Sequence, residues 1–72
     1  MERRDEMVEL IGRLGDEPDV GMPAVARLKD LLDEEVLAQV GRAHRAGWSW
    51  AQIGTAFGVT PQAVHKRFAW LV

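Results

Sequence analysis

The groups best suited to chemistry in this 72-residue chain gather towards its C-terminal end. At about 100° per residue, with Val64 as the origin, Phe68 falls at about 40° and Leu71 at about 340°, which makes an apolar stripe. On the same wheel Gln62 falls at about 160°, Ala69 at about 140°, His65 at about 100° and Lys66 at about 200°, the opposite face. That face offers amide, imidazole and ammonium groups and holds no acid that would repel phosphate. Arg42, Arg45 and Arg67 supply further cations, and Ser49 a neutral hydroxyl. Catalysis finds no such support. There is no cysteine, so disulfides and thiolate metal sites are excluded, and the isolated His44 and His65 make no metal cage. A phosphate-binding glycine loop with lysine, a nucleophile elbow and a His–carboxylate pair at helical spacing are all missing. A non-enzyme with no cofactor, metal or small-molecule ligand is expected.

The charge distribution sharpens this. Residues 1–35 carry all eleven acids and five bases, a charge of −6, whereas residues 36–72 carry four bases and no acid, +4. The net −2 describes neither half. A basic working surface beside an acidic or self-associating segment fits such asymmetry. The charged opening Met1–Glu6 is no secretory signal, and the acid-free, base-free stretch 46–65 is too polar and too broken by Pro61 and three glycines for a spanning helix. A soluble cytoplasmic protein is expected.

The elements that must position these groups are all helical. Met7, Leu10, Ile11 and Leu14 recur at i, i+3, i+4 and i+7, which predicts an amphipathic helix over 2–14 that stops at Gly15. Asp16–Gly21 reads as a turn-rich linker, making residues 1–21 an N-terminal arm. Pro23 fits a first helical position, and Val25, Leu28, Leu32, Val36, Val40 and Ala43 keep a helical period over 23–46. Asp33 is the one place where a second helix could begin. Ser49-Trp50-Ala51-Gln52 forms a capping box, with Trp48 placed to staple against Ile53, for a helix over 50–57 that ends at Gly58. Thr60 then caps a last helix over 61–70 that begins with Pro61. No strand is expected.

The segment Ser49–Phe68, SWAQIGTAFGVTPQAVHKRF, resembles the helix-turn-helix signature. Ile53 matches its buried first-helix position, Gly54 the small residue at the helix contact, Phe57 the last apolar residue before the turn. Gly58 matches the turn glycine, Val59 the apolar plug and Val64 the buried residue of the recognition helix. Within that class residues 36–70 look most like the compact tri-helical module of sigma factor region 4 and of small bacterial transcriptional regulators. The resemblance implies an all-α fold, residues 22–72 forming a small tri-helical helix-turn-helix domain, with no wing because the chain stops at Val72.

It also implies double-stranded DNA as partner, with helix 61–70 in the major groove. Base-reading then falls to Thr60, Gln62, His65 and Lys66. Gln62 suits adenine N6/N7, Lys66 guanine O6/N7, and His65 a purine N7. Ser49, Arg42, Arg45 and Arg67 are the phosphate candidates. Four cations give a salt slope of about −3 to −4 per subunit if all contact phosphate, too little for tight binding by one copy. A homodimer or higher oligomer is therefore expected, with contacts from Met7, Leu10, Ile11 and Leu14, joined by Leu28, Leu31 and Leu32, or with these residues docking another protein. Trp70, at about 240° on the wheel of the last helix, falls off its core stripe, and the apolar end Trp70-Leu71-Val72 suggests burial on the arm or a partner. Trp48, Trp50 and His44 read as packing or surface residues. The competing reading is a protein-interaction adaptor that uses the same fold without DNA.

Overall fold

The computed structural model describes residues 2–71, Leu71 by its backbone alone. It is all-helical: α1 (Arg3–Ile11), α2 (Pro18–Arg45), α3 (Trp50–Phe57), α4 (Pro61–Phe68) and a closing 3-10 turn (Ala69–Leu71). No strand occurs among the described residues, and no helix among them is long and apolar enough to cross a membrane. The chain divides into two compact units within α2, one up to Val36 and one from Leu37 on, rather than at residue 21.

In the first unit α1 ends at Ile11, earlier than the apolar spacing suggests. Gly12 caps it, and tight bonds from the Arg13 amide to the Leu10 carbonyl (3.0 Å) and from the Leu14 amide to the Ile11 carbonyl (3.1 Å) close the turn. Leu14 thus lies outside the helix. Leu10 is buried with Ala24, Leu28 and Leu31 of α2, and Met7 packs against them. This corrects the expectation that Met7, Leu10, Leu28 and Leu31 face a partner. A nine-residue helix is too short to persist alone, and docking its stripe on α2 of the same chain stabilises it without the entropy loss of association. Ile11 and Leu14 remain exposed, at 55% and 43%.

The segment expected to be linker is partly helix. Pro18, not Pro23, takes the first position of α2, where a missing amide hydrogen costs nothing. Two prolines five residues apart both suited that role, and Pro23 lies within the helix. No second helix starts at Asp33; α2 is continuous to Arg45. Ion pairs decorate this unit. Arg3 reaches Glu35 (3.1 Å) and Glu34 (3.7 Å), Lys29 reaches Asp33 (3.3 Å), and Arg27 grips both oxygens of Glu6 (2.8 and 3.2 Å).

The Arg27 hydrogen bonds hold the Glu6 carboxyl below its ordinary value. A carboxylate with a lowered folded-state pKa stabilises the fold above its unfolded value, and this contribution is lost as pH falls through the folded one. Denaturant titrations across the acid range are expected to show stability declining with acidification. Glu6→Gln should flatten part of that decline. The effect is small because the pair is exposed to solvent.

In the second unit Val40, Ile53, Val64 and Phe68 are buried at 1–3% exposure. Val59 and Phe57 are half-exposed, so Val59 is not the buried plug its position suggests; the turn carries it at the surface while Val40 and Phe68 fill the interior. Trp70 is 67% exposed rather than buried. Its indole N–H donates to the Arg67 carbonyl at 2.7 Å, which satisfies the ring's polar atom locally without an interior site. The Leu71 side chain and Val72 lie outside the described residues.

Candidate nucleic-acid interface

Three helix ends build this surface, and local sequence sets each of them. α2 stops in a Schellman turn. Gly47 takes φ +89°, its amide bonds the His44 carbonyl (3.0 Å) and the Trp48 amide bonds that of Ala43 (3.0 Å). α3 opens on the full capping box, with Gln52 N–H to Ser49 Oγ at 3.1 Å and Ser49 N–H to Gln52 Oε1 at 2.8 Å. It closes on Gly58 at φ +71°, with the Val59 amide bonded to the Gly54 carbonyl at 2.9 Å. Thr60 Oγ1 accepts the Ala63 amide at 3.2 Å, and Pro61 starts α4 with its φ already fixed.

Gly54 is what lets the turn sit on α3. A β-carbon there would lie 2.7 Å from the Val59 carbonyl oxygen and 3.3 Å from the Thr60 carbonyl carbon. The contact is with the backbone of the turn itself, closer than any side chain tolerates.

α4 buries Val64 and Phe68 and turns Gln62, His65, Lys66 and Arg67 to solvent. Gln62 and His65 share a shallow recess of about 370 Å³ with Trp50 and Pro61. The rings form a row across three helices. His44 of α2 and Trp50 of α3 have centroids 5.4 Å apart, and Trp50 and His65 of α4 meet edge-on at 5.7 Å. Aromatic contacts of this kind stiffen the positions of their members. Thr60, Gln62 and His65 are thus gathered at the start of α4, with Lys66 one residue further round.

The phosphate candidates are more dispersed. Ser49 stands at the start of α3, its oxygen accepting the cap bond, where helix amides favour an anion. The Arg67 guanidinium lies 5.2 Å from the Phe68 ring centre, a cation–π contact. Arg45 curls back towards Gly41 of its own helix. Arg42 borders a separate apolar groove of about 370 Å³ whose walls include Val40, Ala43, Trp48, Ile53 and Phe57. Arg42, His44 and Arg45 all fall in the last turn of α2, where cations complement the helix dipole.

Sequence reasoning missed the parts of His44 and Trp50. They are remote from His65 along the chain, and only the packing of three helices brings the rings into line. Of the oligomer candidates, Leu10 and Met7 belong to the first unit's own core, while Ile11, Leu14 and Trp70 are exposed.

No protein-family model matches the chain, and no solved structure matches it. Its sequence is similar to uncharacterized proteins of Mycobacterium tuberculosis and of Mycobacterium bovis, each 36% identical over 70 residues. The match covers 92% of this chain and 28% of the relative, so the chain spans under a third of the length of the curated relatives it matches.

Proposed function

We propose that residues 37–71 form a tri-helical helix-turn-helix that binds double-stranded DNA, and that the chain acts as a small transcriptional regulator. In this reading α4 enters the major groove, with Gln62, His65 and Lys66 against base edges and Thr60 at its leading end. Ser49 and the arginines meet the flanking backbone, and a dimer or higher oligomer supplies the remaining phosphate contacts.

The observation that carries this reading is the two-sidedness of α4. Its inner face is fixed by buried Val64 and Phe68, and its outer face, free of acid, presents hydrogen-bonding groups in sequence from Gln62 to Arg67. A recognition helix needs both properties, since base contacts require a rigid platform and phosphates reject carboxylates. Trp50 holds His65 at the recess, which limits its side-chain freedom before binding.

The test is an anisotropy titration of labelled duplex at about 50 and 200 mM salt. Affinity should fall with salt at a slope of about −3 to −4 per subunit if all four cations meet phosphate, and Lys66→Ala should weaken binding. Arg67→Ala should have the smaller effect, because that guanidinium lies against Phe68. Absence of binding at the lower salt, or indifference to both substitutions, would overturn the DNA reading.

One observation favours a second reading, a protein-interaction adaptor. Trp48 and Phe57, 46% and 45% exposed, flank the apolar groove, and large exposed aromatics commonly mark protein contacts. Trp48→Ala that abolishes capture of a partner while sparing duplex binding would assign the groove to that role.

A further inference from the structure

We propose that Met22, Val25, Lys29, Leu32 and Val36 of α2 are the seam of an antiparallel dimer between two copies of this chain. The proposal deepens the oligomeric part of the reading above and does not depend on DNA.

Of the large apolar residues that α2 exposes in the first unit, Val20 stands apart, while Met22, Val25 and Leu32 share one side. Met22 is 67% exposed, Val25 and Leu32 each 49%, and Val36 is half-buried. With Lys29, whose side chain is 76% exposed, they are spaced 3, 4, 3 and 4 residues apart. That alternation is the heptad repeat of a coiled-coil seam, with Met22, Lys29 and Val36 at one core position and Val25 and Leu32 at the other. At about 100° per residue the five fall within roughly 80° of arc, centred about 110° round from the Ala24–Leu28–Leu31 face. That second face is already covered by α1. The seam is therefore an additional face, on which Met22, Val25 and Leu32 stand exposed beside Lys29.

A second copy fits this face for two reasons. The first is size: among the described residues, the unit of 36 residues buries a core of Leu10, Ala24, Leu28 and Leu31. Domains below about 40 residues usually need a disulfide, a metal or association, and this chain has no cysteine. The second is charge. A single lysine at a core position of the repeat costs stability but selects register and partner number. In a parallel pair Lys29 would face Lys29. In an antiparallel pair with Val25 opposite the other copy's Val36, Lys29 falls opposite Leu32 and beside Asp33 of that copy. Asp33 already accepts Lys29 within the chain at 3.3 Å, so the same two side chains complement each other across the seam, twice by symmetry. Asp30 and Glu34 point to the far side of α2, at about 240° and about 280° when Ala24 is the origin. They do not oppose the approach.

Light scattering of the chain without DNA tests this. A dimer mass is expected at about 100 µM, dissociating on dilution. Val25→Glu with Leu32→Glu should give a monomer of unchanged helical circular dichroism. Val8→Glu with Ile11→Glu, on the exposed side of α1, should leave the dimer intact. Lys29→Leu should tighten association by about tenfold or more, since it removes the polar group from the seam. This variant decides the matter if the glutamate pair loses helicity. For orientation, a mixture of Val25→Cys and Val36→Cys chains should form the mixed disulfide faster than either chain alone. A wild-type monomer at every concentration, a dimer indifferent to Val25→Glu with Leu32→Glu, or faster disulfide formation by Val25→Cys alone would each overturn the proposal. A seam dimer that binds no duplex would retain this inference and sink the DNA reading. A monomer that binds duplex would do the reverse.

Discussion

Gly54→Ala is expected to destabilise the second unit by about 2 kcal/mol, although alanine is the better helix former. Inside a helix the exchange ordinarily gains up to about 1 kcal/mol. Here the new methyl group would sit 2.7 Å from the Val59 carbonyl oxygen and 3.4 Å from the Pro61 nitrogen. Those atoms belong to a turn pinned by the left-handed Gly58, by the Val59–Gly54 hydrogen bond and by the Thr60 cap. Relief requires α4 to move off α3, which opens the interior around Val64 and Phe68. Overpacking costs of about 3 kcal/mol then outweigh the propensity gain. The helical signal should melt about 8–16 °C lower for a unit this small. Gly41 provides the control. A β-carbon there meets only the Arg45 guanidinium, at 3.2 Å, and that flexible tip can swing away. Gly41→Ala is expected to hold or raise the melting temperature, and equal losses at both sites would show that helix packing at Gly54 is not the cause.

The same contrast explains which parts of this molecule are legible in its sequence. Helix ends in the second unit are written in short range. Ser49 and Gln52 satisfy each other's amides, Gly58 alone accepts the left-handed turn cheaply, and Thr60-Pro61 both caps and starts α4. Each needs only its neighbours. The buried pair Val64 and Phe68 follows from helical period. What depends on a second element was harder to read. Leu10 has the spacing of an exposed docking stripe until α2 supplies Ala24, Leu28 and Leu31 to cover it. Leu28 and Leu32 share a period, yet the first is buried and the second half-exposed, because the face α1 covers is narrower than the apolar arc. Trp70 suggested burial through the apolar run Trp70-Leu71-Val72, yet it stands 67% exposed with its indole N–H bonded to the Arg67 carbonyl. The row His44–Trp50–His65 had no sequence signal at all.

These packing facts bear on function through rigidity. The floor beneath α4 is tight, and Trp50 wedges between His44 and His65 beside the recess where Gln62 stands. Side chains held before binding lose less entropy on contact, which favours discrimination over mere adhesion. The cations behave differently. The Arg67 guanidinium lies over the Phe68 ring and that of Arg45 beside Gly41 of its own helix. Lys66 is the exposed cation on the outward face of α4 nearest Gln62 and His65 in sequence.

Gln62→Ala is accordingly expected to separate specificity from affinity. A bidentate amide contact to adenine is worth about 1–3 kcal/mol, so affinity for the preferred duplex should fall about 5- to 150-fold. Binding to mixed-sequence duplex should stay unchanged, as should the salt slope, because glutamine carries no charge to release counterions. Lys66→Ala should instead weaken both duplexes and flatten the slope by about 1 if it contacts phosphate, or lower only the preferred duplex if it reads guanine. The preferred duplex comes from selection on randomised sequences, followed by competition titrations of both variants at matched salt. Equal loss on preferred and mixed duplexes for Gln62→Ala would remove that residue from base recognition. With a neutral residue as the probe, a loss confined to one sequence has no electrostatic explanation, which makes this variant the more decisive of the two.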